Sequence, residues 1–594
     1  MKYKFLVFFN CIAFFLSSQE VCTDLVIDPI YSLNNPNLFT KGFSNDLLFF
    51  DDFSTENVFL SDNLWDFSST KVTRNYAINP PSIGVATFDG LDEFGLARDF
   101  SVINSSAPSD TLLSKPIDLS GLSAAFFMFY FQGKGLGETP EIEDKLVLEF
   151  FNGSSWVEKW SSLGIAMQEF KKEVIIIDSA QYLTADFKFR FRNYATISGN
   201  FDHWHIDYLV INELLNVSDT TELNDVSFVY SSPSFLNRYY EMPWTHFLNN
   251  EATELKDSID IILRNNRPSV NVDFQFNVYE NNSQIYHYPS IGVSRNVTIL
   301  DYDTIGNFSF TNPPIDFQSN IFNSFEPDSA SFLVKYIIKT SNSDVKINDT
   351  LYHNQNFFSH FAYDDKSAES AYGINTNGAM LAYEFKLNRP DTLRAIQMYF
   401  PQMLDSVSNI SFKLTIWKDI NGQGDVLYQQ DVFPVHTENG NYHTYYLDSL
   451  FQLVGTFYVG WEQTTDDLLN IGLDKNNNAN EYMYYNVGSG WLNSSYLGSW
   501  MIRPILSMNQ IVSNIPNKNT SYSVYPNPAR YNFFIESTAN SNIISLYTLN
   551  GILIRKFKSN LNRIQIDVDD LEGGVYILEI SNDSDVSYQK ILIQ

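Results

Sequence analysis

Two histidines and an aspartate at alternating positions are the first candidates for chemistry in this sequence. His203, His205 and Asp207 alternate with apolar residues between Trp204 and Tyr208. This pattern predicts a β-strand whose three polar side chains share one face. Imidazole nitrogens and a carboxylate at that spacing can hold a transition metal. The sequence favours a plainer interpretation, in which the apolar side chains face a core and the histidines occupy the polar face of the strand.

Compact signatures of hydrolytic enzymes do not occur in the chain. It contains neither a Gly-x-Ser-x-Gly nucleophile elbow nor a His-Glu-x-x-His zinc motif. Its two cysteines are Cys11, within an N-terminal apolar run, and Cys22, so we expect no disulfide framework and no cysteine-based metal site. A carboxylate pair for glycoside cleavage needs no local motif. A secreted hydrolase therefore stays open as an alternative, and we predict no catalytic residue.

Aromatic side chains offer a means of recognition instead. Trp491, Tyr496 and Trp500 crowd one segment rich in Gly and Asn, and exposed rings of this kind stack on sugars or anchor protein partners. We take these three residues as candidate ligand-binding residues. Core packing is the alternative, since aromatic residues favour β-sheets.

The N-terminus has the features of a secretory signal peptide. Lys2 and Lys4 precede the apolar run 5–16, and a short polar stretch follows it. The run is too short to span a membrane as a helix. We therefore expect residues 1–19 to be a signal peptide and, because no other long apolar run occurs, no transmembrane segment.

The strong acidity of the chain limits its partners. Its net charge is −31 and its pI is about 4.5. Nucleic-acid binding requires a basic surface, so nucleic acid is excluded as a partner. The composition suits an extracellular protein.

Short alternating segments predict an all-β fold. The segments 187–192, 272–279 and 412–417 alternate apolar and polar residues, and clusters of Gly, Pro and Asn separate the runs. A length of 594 residues is too great for one core. We predict tandem β-sandwiches: a jelly roll at 40–212, an immunoglobulin-like sandwich at 226–348, a jelly-roll-like sandwich at 361–508 and a small sandwich at 523–594.

Three short boxes near the C-terminus form a more specific pattern. The second contains an Asn-Gly pair between apolar runs, which indicates a hairpin. The boxes resemble the type A C-terminal sorting domain of the type IX secretion system. The residues that carry the resemblance are Tyr525, Pro526, Asn527, Pro528, Asn550, Gly551, Gly573, Gly574 and Tyr576.

This resemblance implies export across the outer membrane of a Gram-negative, Bacteroidetes-type cell. The partners would be the type IX translocon and its sorting machinery, and the destination would be the cell surface or the medium. Such domains are usually removed on export, and the exported protein is often attached to the surface.

The first predicted sandwich resembles the MAM-like, concanavalin-type jelly roll of bacterial cleaved-adhesin domains. The matching residues are Asp52-Phe53, Leu113-Ser114 with the segment 117–120, and Trp204-x-Ile206-Asp207. The resemblance implies adhesion and, often, one structural calcium where the first and last strands meet. The acidic residues at matching positions, and hence the predicted calcium ligands, are Asp51, Asp52, Asp89 and Asp207. Ordinary turn and strand-end aspartates are the alternative.

These patterns together predict a secreted or surface-attached, non-catalytic adhesin or ligand-binding protein. Its ligand would be a surface glycan or protein. The alternatives are a secreted peptidase or glycosidase, or its accessory subunit, with a site that no motif marks, and a structural component of the surface.

Overall fold

The computed structural model divides the chain into two compact units, Met1–Asn509 and Gln510–Gln594. The residues that it describes are 20–28, 47–55, 58, 60, 63–101, 106–165, 169–216, 220, 225–266, 270–289, 295–298, 310–311, 321–324, 328–340, 345–403, 407–421, 424–437, 441–506, 523–536, 542–548, 553–559, 561, 563–568, 571, 573–582 and 585–593. The predicted signal peptide lies outside them.

The first sandwich consists of two antiparallel sheets. One has the strand order β10-β7-β12-β5-β4, with β2 also paired to β12, and the other has the order β3-β6-β11-β8-β9. The strands up to residue 213 are β1 (Glu20–Thr23), β2 (Phe49–Asp51), β3 (Trp65–Ser68), β4 (Lys71–Thr73), β5 (Val85–Phe88), β6 (Ser106–Ser114), β7 (Ala125–Gly133), β8 (Lys145–Phe151), β9 (Trp156–Leu163), β10 (Lys171–Ile177), β11 (Phe189–Thr196) and β12 (Trp204–Glu213).

Alternation along β11 shows why these residues form a two-faced strand. Phe189 and Phe191 are fully buried between the sheets, and Phe127 of β7 lies 4.7 Å from Phe189 between ring centroids. Arg190 and Arg192 point the other way, and the Arg190 Nε donates to Glu149 at 2.5 Å. Burial of the phenylalanines therefore fixes the register of the strand, because a shift by one residue would place arginine in the core.

A bulge in β12 interrupts the simple alternation expected for that strand. The pairing of β12 with β7 shifts register between Asp207 and Val210, and Tyr208 has a φ of 50°. The inserted residue turns Tyr208 to the outer face of the sheet, while Leu209 joins Ile206 in the core between the sheets. Tyr208 therefore does not share a face with the apolar residues before it.

The second sandwich contains a three-stranded sheet, β13-β14-β18, and a sheet of order β16-β15-β19-β20 with β17 also on β15. Its helices are short. The elements are β13 (Val226–Phe228), α1 (Trp244–Phe247), α2 (Glu251–Glu254), β14 (Leu263–Asn265), β15 (Asn271–Glu280), β16 (Ser283–Tyr288), β17 (Arg295–Thr298), β18 (Phe310–Thr311), β19 (Ala330–Thr340) and β20 (Thr350–Phe357).

The third sandwich has sheets of order β25-β24-β27-β22-β29-β30 and β26-β23-β32, and a further sheet, β1-β21-β28-β31, in which the N-terminal strand β1 pairs with β21. Its strands are β21 (Ser370–Ile374), β22 (Met380–Lys386), β23 (Asp391–Met398), β24 (Phe412–Asp419), β25 (Asp425–Val432), β26 (His443–Leu453), β27 (Thr456–Glu462), β28 (Leu469–Asp474), β29 (Met483–Asn486), β30 (Leu492–Asn493), β31 (Ser499–Trp500) and β32 (Ile502–Leu506).

The second and third sandwiches share one apolar core. One cluster of buried side chains in mutual contact includes residues of both sandwiches, from Val226 to Leu506. Tyr239 of the second sandwich lies 4.6 Å from Phe361 and 4.8 Å from Tyr363 between ring centroids. These two sandwiches are therefore not independent modules on a linker.

A buried ionic network crosses the same interface. Arg503, which is 2% exposed, donates to both carboxylate oxygens of the fully buried Asp364. Its Nη1 lies 3.8 Å from Glu241 of the second sandwich, and Glu241 also contacts His360 at 2.9 Å. Burial opposes ionisation of Glu241, but the hydrogen bond with His360 and the charges of Lys366 and Arg503 lower its pKa well below the ordinary value.

The second unit is a small sandwich of two sheets, β33-β34-β37 and β36-β35-β38-β39. Its strands are β33 (Ser523–Tyr525), β34 (Asn532–Glu536), β35 (Asn542–Thr548), β36 (Leu553–Ser559), β37 (Arg563–Asp567), β38 (Gly574–Asn582) and β39 (Asp585–Ile593). The predicted all-β class and tandem-sandwich architecture are confirmed.

Replacement of Arg503 should test the ionic network. We expect Arg503→Met to destabilise the protein by about 3–5 kcal/mol, because Asp364 would remain buried without its cation and Glu241 would keep only Lys366 as a cationic neighbour besides His360. Chemical denaturation gives the free energy of unfolding. Lys188→Ala is the control, since its pair with Asp66 at 3.1 Å is partly exposed and should contribute at most about 1 kcal/mol. Equal losses in the two variants would contradict this assignment.

Candidate functional site

A cavity of about 790 Å³ lies where the three sandwiches of the first unit meet. Most of the lining residues come from segments that directly follow strands. These segments are residues 74–78 after β4, residues 230–233 after β13 and residues 475–477 after β28. Its lining residues are Thr55, Val58, Val72, Arg74, Asn75, Ala77, Ile78, Leu136, Tyr230, Ser231, Ser232, Pro233, Tyr240, Tyr352, Asn354, Asp365, Ser367, Lys475, Asn476 and Asn477.

Alternation along β20 turns polar and aromatic side chains into this cavity. Leu351 and His353 are buried in the second sandwich, so Tyr352 and Asn354 point the opposite way and line the cavity. Tyr230 lies on the same wall, and its hydroxyl donates to Asn79 Oδ1 at 3.0 Å and accepts from Asn79 N at 2.6 Å. The fold therefore fixes the positions from which Tyr230 and Tyr352 present their rings to the cavity.

Two cationic side chains lie on the wall that the first and third sandwiches form. Arg74 donates to the main-chain oxygens of Ser54 and Thr55 at 3.3 and 3.0 Å. Lys475 donates to the main-chain oxygen of Leu136 at 3.0 Å. These hydrogen bonds orient both side chains.

Three carboxyl groups lie at and behind the cavity wall. Burial raises the pKa of Asp365 and Asp474, and burial together with the charge of Asp365 raises the pKa of Glu369 to about 7. Each group accepts hydrogen bonds from loops: Asp365 from Ser367 N at 2.9 Å, Asp474 from Asp365 N at 2.9 Å, and Glu369 from Lys475 N at 2.7 Å. They hold the loops that shape the wall, and Asp365 is the one that lines it.

The predicted calcium ligands Asp51 and Asp89 have separate protein partners. Asp51 accepts hydrogen bonds from Trp65 Nε1 at 2.8 Å and Phe53 N at 3.0 Å. Asp89 lies 3.0 Å from the ammonium group of Lys71, a fully buried lysine. The structure does not bring these two carboxylates into a common group.

Asp52 and Asp207, the other two predicted ligands, lie in one buried polar network. Ser82 donates its hydroxyl to the main-chain oxygen of Asp52 at 2.9 Å and its amide to Asp207 Oδ2 at 2.8 Å. Asn348 Nδ2, from the second sandwich, donates to Asp52 Oδ2 at 3.0 Å and to Asp225 Oδ2 at 2.8 Å. The network joins the first two sandwiches, and calcium at the four aspartates stays a prediction.

A different group of carboxylates comes together in the first sandwich. One ligand oxygen each of Glu138, Glu141 and Asp202 lies within 4.8 Å of the others, and among the described residues no other group of three His, Cys, Asp or Glu does so. Sequence reasoning missed this group. The acidic run 138–144 was the available signal, but its partner Asp202 is about 60 residues away and only the fold pairs the two loops.

His205 of β12 has polar partners at both ring nitrogens, whereas His203, which precedes the strand, has one at Nδ1 and none at Nε2 among the described residues. His203 Nδ1 accepts from Glu138 N at 3.1 Å, and its ring stacks on Tyr76 at 4.9 Å. His205 Nε2 donates to the main-chain oxygen of Lys134 at 3.3 Å, so its Nδ1 accepts from the Thr87 hydroxyl at 3.0 Å. These contacts fit the plainer interpretation of the two histidines.

The predicted ligand-binding aromatics differ in exposure. Trp500 is fully buried and lies 4.9 Å from Tyr372 between ring centroids, so its ring is not open to a ligand. Trp491 packs edge-on against Trp417 at 5.7 Å, and Tyr496 packs against Tyr372 at 5.9 Å. Trp491 and Tyr496 are half-buried, and a binding role for them stays a prediction.

The C-terminal boxes organise the second unit. Asn527 donates to the main-chain oxygen of Lys590 at 2.7 Å and accepts from Leu592 N at 2.9 Å, and thereby clamps the last strand. Gly573 precedes β38, and Tyr576 on β38 packs against the core of the unit. Asn550 and Gly551 lie outside the described residues.

Comparison with protein families identifies this second unit. Residues 523–594 match the family described as the secretion system C-terminal sorting domain. Residues 523–594 are a type IX sorting domain. The protein is therefore exported by the type IX secretion system, interacts with that machinery, and is delivered to the cell surface or released.

Comparisons with whole chains are much weaker. A β-glucuronidase from Ruminococcus gnavus is 12% identical, with 37% of this chain and 36% of that one covered and a TM-score of 0.15. β-Glucuronidase 2 of Bacteroides uniformis is 9% identical (44% and 28%, TM-score 0.19). PorZ, a surface component of the type IX secretion system of Porphyromonas gingivalis, is 10% identical (57% and 50%, TM-score 0.13).

This chain therefore spans half or less of each of these solved structures. No curated protein matches it. Among the described residues, no helix has both the length and the apolar character needed to cross a membrane.

Removal of the sorting domain should block export. We expect a chain lacking residues 523–594 to fold and to stay in the periplasm, because the type IX machinery would have no signal to bind. Cell fractionation with surface proteolysis measures delivery, and the full-length chain expressed at the same level is the control. Surface delivery of the shortened chain would contradict the assignment.

Burial of His205 should make stability depend on pH. Burial lowers its pKa to about 4 in the folded protein, whereas the unfolded chain takes up the proton near the ordinary value of about 6.5. Stability is therefore lost as the pH falls from about 6.5 towards 4.

The non-titrating variant His205→Gln removes this effect. We expect the difference in unfolding free energy between wild type and variant to shrink by about 2–3 kcal/mol from pH 7 to pH 4. His436→Gln, at a half-buried histidine, controls for the general effect of acid on the chain. A difference that is constant with pH would show that His205 is not buried neutral.

Proposed function

We propose that this protein is a non-catalytic, surface-delivered binding protein and that the cavity between its three sandwiches binds a glycan. The observation that supports the proposal is the composition of the cavity wall. Tyr230, Tyr240 and Tyr352 supply rings, and Asn75 and Asn354 supply amide groups. Sugars are recognised by this pairing of aromatic faces with hydrogen-bonding groups, and a volume of about 790 Å³ lies in the range of small-ligand sites.

The charges of the wall favour acidic over neutral sugars. Arg74 and Lys475 both line the cavity. A planar guanidinium is well suited to bind a carboxylate or sulfate group. We therefore expect the preferred glycan to carry a negative charge.

The same wall argues for binding without turnover. Glycoside hydrolysis needs two carboxyl groups on either side of the scissile bond. Among the described residues, Asp365 is the one carboxylic acid that lines this cavity, and it accepts hydrogen bonds from both the amide and the hydroxyl of Ser367. A secreted hydrolase remains the second candidate function.

A glycan array with the purified full-length protein, repeated with variants, tests the proposal. We expect binding to acidic glycans and a loss of affinity of at least tenfold, or about 1.4 kcal/mol, in Tyr352→Ala and Asn354→Ala. Tyr446→Ala is the matched control, because Tyr446 is 75% exposed and lies outside the cavity. The control should bind like the wild type.

Incubation of the protein with each bound glycan measures turnover. We expect no product over hours. Product formation that disappears in Asp365→Asn would place the protein among the hydrolases. Binding that is weakened by Tyr446→Ala but not by the cavity variants would place the ligand elsewhere.

A further inference from the structure

The carboxylates of Glu138, Glu141 and Asp202 occupy two neighbouring loops of the first sandwich. Glu138 and Glu141 lie in the loop between β7 and β8, and Asp202 lies in the turn between β11 and β12. Asp202 N donates to Glu138 Oε2 at 3.1 Å, which brings the two loops together. The ligand oxygens of the three residues all lie within 4.8 Å of one another.

An unpartnered oxygen on Asp202 is the second observation at this site. Asp202 is fully buried, and its Oδ2 accepts from Thr196 N at 2.6 Å. Its Oδ1 has no hydrogen-bond partner among the described residues. An ionised carboxylate that is buried with one oxygen unsatisfied is costly, so this oxygen points to a partner that the described residues do not supply.

The described residues supply no ion-pair partner to these carboxylates. Asp144 is 2% exposed, and it lies beside the group, since its Oδ2 accepts from Glu141 N at 2.8 Å. Within the described part of the chain, none of the four acidic residues has a lysine, arginine or histidine nitrogen within 4.0 Å. Either a proton or a bound cation must relieve their mutual repulsion.

We propose that Glu138, Glu141 and Asp202 bind a calcium ion, with water completing its coordination. Calcium takes oxygen ligands at about 2.3–2.6 Å, so oxygens on opposite sides of the ion lie up to about 5 Å apart. The three ligand oxygens lie within 4.8 Å of one another, so all three can reach one ion. Magnesium requires near-ideal octahedral geometry and loses its water reluctantly, so we expect it to bind more weakly.

This site is separate from the aspartates at positions 51, 52, 89 and 207, and it has a structural consequence of its own. The loop between β7 and β8 also contains Lys134, whose main-chain oxygen accepts from His205, and Leu136, whose main-chain oxygen accepts from Lys475. A cation at this site would hold the loop against the turn that carries Asp202. It would stabilise the first sandwich, because an ion that binds only the folded state shifts the folding equilibrium.

Calorimetric titration of the chelator-treated full-length protein with calcium chloride tests the proposal. We expect saturable binding and a higher melting temperature in calcium, with weaker effects of magnesium chloride. Glu141→Gln should lower calcium affinity at least tenfold. Glu143→Gln is the matched control, since Glu141 and Glu143 are both exposed side chains of the same loop and Glu143 is not in the carboxylate group.

Further outcomes distinguish this site from its alternatives. Asp51→Asn should leave calcium binding unchanged. Calcium affinity that falls in Asp51→Asn but not in Glu141→Gln would overturn the proposal and move the ion to the aspartates. The proposal would also be overturned if calcium chloride gave no heat of binding and left the melting temperature of the wild type unchanged. The carboxyl groups of Glu138, Glu141 and Asp202 would then be a protonated cluster. Asp202→Asn should reproduce the loss seen in Glu141→Gln.

Discussion

The buried guanidinium of Arg503 is the constraint on which the arrangement of the first unit depends. A charge with 2% exposure requires partners, and these come from Asp364 beside it in the third sandwich and from Glu241 in the second. Meeting that requirement fixes the second and third sandwiches relative to each other. The apolar core that runs through both then closes around the network.

The cavity is a consequence of this docking and of the network around Asn348. Its walls come from all three sandwiches, and none of them could form it alone. Asn348 links the first two sandwiches through Asp52 and Asp225, and the loop acceptors Asp365, Glu369 and Asp474 set the shape of the remaining wall. Buried polar groups therefore shape the cavity wall, while apolar burial supplies most of the stability.

The acidity of the chain thus has two structural uses besides solubility. Many buried carboxylates are satisfied acceptors for loop amides, as Asp207 is for Ser82. The group of Glu138, Glu141 and Asp202 combines two features: three ligand oxygens lie close together, and one buried oxygen of Asp202 has no hydrogen-bond partner among the described residues. This combination, and not the number of acids, is what singles out a candidate cation site. It cannot be read from a composition in which acids are abundant.

The sequence by itself determined the strands and the export signal. Alternation places Phe189 and Phe191 in a core because side-chain direction in a strand is a local property, and the boxes around Asn527 and Tyr576 identify the sorting domain because its motifs are contiguous. Only the tertiary structure decided that Trp500 is buried against Tyr372, that a bulge reverses the face of Tyr208, and that Asp202 meets Glu138 and Glu141. These outcomes depend on contacts between residues far apart in the chain, and no local pattern specifies which strands and loops will pack together.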